Sequence, residues 1–418
     1  MKTPGRPLRI ALLTYRGNPY SGGQGVYVRY LSKAFVDLGH EVTVFSGPPY
    51  PDVQEGVELV TVPSLDLYRS EDPFRVPARH EFRDAIDYLE FGIMCGAGFP
   101  EPLTFTLRAA RMLIEQRRRF DIVHDNQSLG YGLLRVQNAG LPVVATIHHP
   151  CSIDREIELT RAQTWKRRAS LRRFYGFTRM QARVGRRLPR VITVSDAARL
   201  DAVHAFGLAS DRVTVVHNGV DVDLFRPAAA DVSIPGRIVT TASADVPLKG
   251  LVYLIEALAK VRTEHEDAHL VVVGAAAVGG PVARAIERFG LKDVVTFETR
   301  VDWLRLVELY HEAQVAVVPS LYEGFSLPAA EAMSSGTALV ATDAGALPEV
   351  VGPDGEAALV TPPGDPGALA AAIGRILDDR ELRRRLADAG RQRILDRFTW
   401  RSSAAATTRE YERVIGWC

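Results

Sequence analysis

Two glutamates, Glu323 and Glu331, stand eight positions apart in the run VVPSLYEGFSLPAAEAMSSGT, residues 317–337. The run leaves an apolar, strand-like stretch, turns at Gly324 and enters a helical stretch near Pro328. A carboxylate accepts two hydrogen bonds with fixed geometry, which suits sugar and ribose hydroxyls. Backbone N–H groups of Phe325, Ser326 and Leu327, at a helix start, suit an anionic or hydroxyl-rich ligand. Glu323 just before the helix and Glu331 in its first turn would also favour the helix dipole. That explains either acid but not the glycine turn between them.

Three other places carry related chemistry. In YSGGQGVYVRYLSKAF, residues 20–35, Gly22, Gly23 and Gly25 precede an amphipathic helix. Glycines there let N–H groups approach an anion or sugar oxygen, or simply make a strand-to-helix turn. The spacing is not that of a dinucleotide fold. Lys249, in ADVPLKG at 244–250, sits where an ammonium would meet phosphate oxygens or be solvated. His148 and His149 end the strand-like PVVATIHH, and His124 lies in DIVHDN. Locally, each is as well suited to packing as to reaction. Cys95, Cys151 and Cys418 are far apart, so neither a disulfide framework nor a metal site is expected, and the chain reads as a protein of a reducing compartment.

The elements that must position these groups read as two α/β domains, because 418 residues exceed what one core usually holds. Valine- and isoleucine-rich runs at 9–15, 41–47, 57–63, 121–126, 142–149 and 190–196 alternate with helical stretches, the pattern of a parallel sheet covered on both faces. The pattern restarts with 212–221 and then runs at 237–244, 269–275, 294–299, 315–320, 338–342 and 357–362. The expected domains are 1–200 and 201–395, with a C-terminal helix at 396–418 packing back toward the first. Both are Rossmann-like. Ligands of such sheets bind beyond the carboxyl ends of the strands, so two domains facing each other across a cleft would hold one between them.

A net charge of +1 gives a nucleic-acid partner no support. No apolar run is long enough to span a membrane, and MKTPGRP leads straight into a strand, leaving no room for a signal peptide. A cytoplasmic location follows. The stretch 161–190 holds eleven basic residues and no acidic one, with Trp165, Phe174, Tyr175 and Phe177 interleaved. It suits an anionic membrane surface, which would make the protein peripheral on the inner face, or a solvated basic face.

Taken together, GGQGVYVRYLSKAFVDLGHEVTV at 22–44, ATIHH at 145–149, VVHNGVDVDLF at 215–225, LKG at 248–250 and PSLYEGFSLPAAEAMSSGTALVATDAGALPEVV at 319–351 resemble the family-four retaining glycosyltransferases of GT-B architecture. The resemblance covers nearly the whole chain. It implies transfer of a hexose from a nucleotide sugar to a hydroxyl acceptor, with no metal or other cofactor required. It assigns Glu323, with Gly324, to the donor sugar, Glu331 to the ribose and Lys249 to the diphosphate. The amides of Phe325, Ser326 and Leu327 would cradle sugar and phosphate, and Gly22–Gly23 would face the phosphates and the acceptor. His148, rather than His149, matches the histidine near the transferred sugar, and Asn218 and Asp221 fall in a structural crossing segment. Where the family commonly has a phosphate-binding arginine this chain has Ser243, for which Arg300 or Arg16 is a candidate replacement. UDP-glucose and GDP-mannose are the leading donors, UDP preferred. The acceptor reads as lipid-linked, with a small soluble or glucan acceptor as the alternative, and an inactive sugar-nucleotide-binding module as the reading of another class.

Overall fold

The computed structural model describes residues 6–18, 23–69, 71–241 and 246–416. Gly22 and Ser243 lie outside the described residues. The described chain divides into two compact units, one of residues 1–217 with 400–418, the other of residues 218–399.

Among the described residues the first unit has seven strands: β1 (Arg9–Thr14), β2 (Glu41–Ser46), β3 (Val57–Thr61), β4 (Ile122–Asn126), β5 (Val143–Ile147), β6 (Arg190–Thr193) and β7 (Val213–Val215). They pair in the order β3-β2-β1-β4-β5-β6-β7, and each pairing is parallel. Strands β4 and β5 are buried at every position; β5 accordingly reads as a near-continuous apolar run, while β4 buries His124, Asp125 and Asn126 as well. One face is filled by Phe105, Leu113, Leu133 and Val184 among others. On the other, helix Gly23–Asp37 brings Tyr27, Leu31 and Phe35 against Trp400, Ala404 and Tyr411 of the C-terminal helix Trp400–Ile415. Each buried aliphatic side chain contributes about 1.5–3 kcal/mol, so this docking is a substantial part of the unit's stability.

The second unit's strands are β8 (Arg237–Thr241), β9 (His269–Val273), β10 (Val295–Glu298), β11 (Val315–Val318), β12 (Leu339–Thr342) and β13 (Leu359–Thr361). Their order, β10-β9-β8-β11-β12-β13, is again parallel throughout. The direction of winding reverses between β8 and β11, the place where such sheets open a crevice for ligands.

Two features differ from the sequence reading. The strand pattern reads as restarting at 212–221, with the second domain expected from 201, but Val213–Val215 pairs in register with Val191–Thr193 and extends the first sheet, so the first unit continues to His217. The segment between β3 and β4, without assigned elements in the sequence, contains helices Ala85–Cys95 and Glu101–Glu115. The first is capped by Asp84, whose side chain accepts from the N–H groups of Ile86 and Asp87. Among the described residues no helix is long and apolar enough to cross a membrane.

Candidate functional site

In the second unit the residues after β8 and β11 meet. Lys249 ends a short turn, and Gly250 follows it at φ +67°, where an added Cβ would lie 1.9 Å from the Pro319 carbonyl oxygen. Only glycine permits that approach. Leu321 N–H then donates to the Leu248 oxygen at 2.7 Å, fixing the two loops together. Lys249 Nζ donates to Glu323 Oε1 at 2.8 Å, and Ser320 Oγ donates to the same oxygen at 2.7 Å. The Glu323 side chain is 9% exposed and that of Lys249 31%, so a partly open lysine pairs with a covered carboxylate.

Helix Leu327–Ser334 begins after this loop. Glu331 is its fifth residue, not part of its first turn, and no acid occupies that turn. The helix dipole therefore does not explain Glu331. Its carboxylate is buried and faces Tyr310, whose hydroxyl lies 3.4 Å from Glu331 Oε2 and 2.9 Å from Thr241 Oγ1. Burial raises its pKa to about 7, against an opposing hydrogen bond from Tyr310. Ser326, the N-cap, sits at φ +81°, a strained conformation for a residue with a side chain, and its Oγ accepts from Ala329 N–H. Phe325 is buried and packs edge-on against Phe398, and Gly324 is half-buried. Asp221, on the crossing segment, accepts from the N–H groups of Asp223 and Leu224, while the Asn218 side chain is buried.

In the first unit His148 follows β5. Its Nε2 lies 2.7 Å from Asn126 Oδ1, and its backbone N–H donates to Gln127 Oε1 at 2.6 Å. With Asn126 Nδ2 donating to the Gln24 oxygen, Oδ1 accepts, so Nε2 carries the proton and Nδ1 keeps a lone pair for a hydroxyl. The ring is half-buried by area but stands edge-on to Tyr27, and desolvation pulls its pKa down to about 4. His149 turns to Asp154 at 3.2 Å. His124 is fully buried, bonded to Tyr411 and Thr146; that places it in the packing of the C-terminal helix. Gly23 opens the helix Gly23–Asp37. A Cβ at Gly25 would stand 1.9 Å from the Asn18 oxygen, so this turn requires glycine for its own closure.

The two arginines weighed as replacements at Ser243 differ. Arg16 holds Glu101 through two nitrogens, at 2.6 and 2.8 Å, in the first unit. Arg300 is exposed after β10, two strands from β8, or about 10 Å at the usual strand spacing.

The basic stretch forms helices Trp165–Phe174 and Phe177–Gly185. Trp165 is 76% exposed, but Tyr175 is buried, and Phe174 and Phe177 pack against Phe99. Three of the four aromatic side chains are thus part of the unit's interior packing, leaving one for a membrane surface.

Ser320, Tyr310, Asn126 and Gln127 had no place in the sequence reading. Ser320 and Asn126 stand at strand ends, a usable signal; nothing in the sequence marks Tyr310.

Two family descriptions match the chain: "Glycosyltransferase Family 4" over residues 21–224 and "Glycosyl transferases group 1" over residues 234–393. An MMP alpha-(1->4)-mannosyltransferase of Mycolicibacterium hassiacum is 49% identical over 98% of both chains. A D-inositol 3-phosphate glycosyltransferase of Catenulispora acidiphila is 29% identical over 98% of this chain and 96% of its own. Among solved structures, sucrose-phosphate synthase of Thermosynechococcus elongatus has the same fold, with a TM-score of 0.72 at 23% identity over 98% of this chain and 100% of its own.

Proposed function

This chain belongs to the group 1, family 4 glycosyltransferases, with two parallel-sheet domains of the GT-B class, and we propose that it moves a mannosyl residue from GDP-mannose to the 4-hydroxyl of a saccharide, with retention at C1. The observation that carries this reading is the contact of Lys249 with Glu323 in a chain 49% identical to a protein named an alpha-(1->4)-mannosyltransferase. Of the two donors weighed from sequence, GDP-mannose agrees with that name, and the preference for UDP gives way. A 4-linked product also favours a saccharide over a lipid-linked acceptor. The inward-facing Tyr175, Phe174 and Phe177 support that choice.

As the bond from C1 to the diphosphate stretches, charge builds on the leaving oxygens. Lys249, with two N–H donors left beyond its bond to Glu323, stabilises that charge together with the amides at 325–327. Glu323 accepts from the sugar hydroxyls, held in place by Ser320 and Lys249, and acts as a positioning carboxylate rather than a nucleophile. Glu331, as a carboxylate, accepts from the ribose hydroxyls. His148 offers Nδ1 to a hydroxyl of the transferred sugar. The leaving phosphate takes the acceptor proton on the face it departs from, which gives retention. Gly22–Gly23 borders the phosphates and acceptor in this reading, and Lys249 serves the diphosphate without the arginine that Ser243 replaces.

The test is incubation with GDP-mannose or UDP-glucose and a 4-linked mannooligosaccharide, the product read by NMR for anomer and linkage. An α-(1→4) mannosyl product supports the proposal. Transfer from UDP-glucose alone replaces the donor. Folded protein that neither transfers nor binds GDP or UDP calorimetrically brings forward the inactive-module reading.

A further inference from the structure

We infer that the second unit carries another small-molecule site, for a phosphate-bearing ligand, at the amino ends of its strands. A cavity of about 410 Å³ opens there, within the range of ligand pockets. Its walls are the segment 227–233 before β8, Gln314 before β11, Thr337 before β12 and the first turns of helix Arg380–Arg397. Lys249 and Glu323 follow the carboxyl ends of β8 and β11, so the cavity is at the opposite edge of the sheet, about 15 Å away along a strand of this length.

The charges in the cavity favour an anion. Arg380, Arg383 and Arg384 line it against two carboxylates, Asp231 and Asp388. The Arg380–Asp231 pair spans 3.4 Å with side chains 83% and 59% exposed, an arrangement that holds little energy and that a phosphate can displace. Arg383 is half-buried, spending Nη1 on the Ile376 carbonyl oxygen; desolvation acts most strongly against its charge, Asp231 supports it and Arg380 opposes it. An anion would add to what Asp231 supplies. A separate observation comes from Ser335, which also lines the cavity: it is 3% exposed and its Oγ has no hydrogen-bond partner among the described residues. A buried hydroxyl without a partner is costly, so this wall carries an unmet polar group beside the cavity. Tyr310 belongs to the same wall, while its hydroxyl reaches Glu331.

The experiment is calorimetric titration of the whole protein with inorganic phosphate and with glucose 6-phosphate, comparing wild type with Arg380→Ala/Arg384→Ala. Both arginines are surface residues of a helix, and thermal melting checks that the variant is folded. Saturable binding of either ligand that weakens at least 10-fold in the variant, with nucleotide affinity unchanged, is the expected result. Absence of binding to wild type up to about 10 mM overturns the inference, since a site worth about 2.7 kcal/mol would bind in that range. Binding equally strong in the variant overturns it as well, placing the ligand elsewhere, the donor site included. Stronger binding of glucose 6-phosphate than of phosphate assigns the ligand to the phosphorylated sugars; equal binding assigns it to free phosphate.

Discussion

Lys249 Nζ and Glu323 Oε1 lie 2.8 Å apart although 74 residues separate them in the chain. The carboxylate is mostly covered and takes a further hydrogen bond from Ser320, while the lysine side chain is partly open to solvent. Removing Lys249 therefore has two consequences, one for the donor and one for the fold. Lys249→Ala should lower kcat/KM by roughly 10²–10³-fold through lost stabilisation of the leaving group, and should lower the melting temperature by a few degrees because Glu323 loses its partner. Lys249→Met combined with Glu323→Gln should recover the melting temperature but not the activity. Full activity in either variant would remove this pair from the mechanism.

Glu331 should make donor binding depend on pH. Its pKa, about 7 in the folded protein against an ordinary 4.5, means that it gains charge as pH rises through 7. Nucleotide affinity should fall as pH drops from 8 to 6, and Glu331→Gln should bind more weakly with that dependence gone. For stability the sign is opposite. Between about 4.5 and 7 the folded protein binds the extra proton, so this group's contribution declines as pH rises through that window and is level above it. Denaturant midpoints across pH 4.5–8 should show Glu331→Gln without that decline.

Tyr310→Phe removes the hydroxyl that bonds Thr241 and approaches Glu331. A loss of about 1 kcal/mol is expected, since the half-buried Thr241 hydroxyl loses its partner. The Glu331 pKa should rise further, because the Tyr310 hydrogen bond lowers it in the native protein. The midpoint of the nucleotide-affinity profile moving upward would show this; a midpoint that does not move would uncouple the two residues.

His148 and His124 oppose Glu331 in acid. His148 and His124 have pKa values lowered to about 4 and about 3, mainly by desolvation, from an ordinary 6.5. The unfolded chain takes up protons first, so stability is lost as pH falls from 6.5 toward 4. His148→Asn should soften that acid loss and, if the ring meets the transferred sugar, lower kcat at pH 7.5 by at least 10-fold. Unchanged kcat would leave His148 a packing residue.

A saccharide-directed enzyme should not float with anionic liposomes at moderate salt. Trp165 alone, among the four aromatics of 161–190, is largely exposed. Co-migration that persists at 150 mM salt and is lost in Trp165→Ala would restore the membrane reading.

The sequence by itself determined the two parallel sheets, because strands buried on both faces are mostly apolar, and the runs at β5, β11 and β12 leave little choice. It also placed Glu323, Glu331 and Lys249 near strand ends and helix starts, where local glycine and proline positions are informative. It could not determine which side chains meet. Tyr310 reaches Glu331 from a different helix, Trp303–Glu312, and Ser320 meets Lys249 through their common partner Glu323. The unit boundary depended on β7 joining a sheet edge. The inward turn of Phe174 and Phe177 depended on Phe99, distant in sequence, offering a surface to pack against, and Tyr175 packs on those two rings. Periodicity records whether a residue is buried, whereas partners and pKa values arise from distances between chain segments, and those exist only in the folded protein.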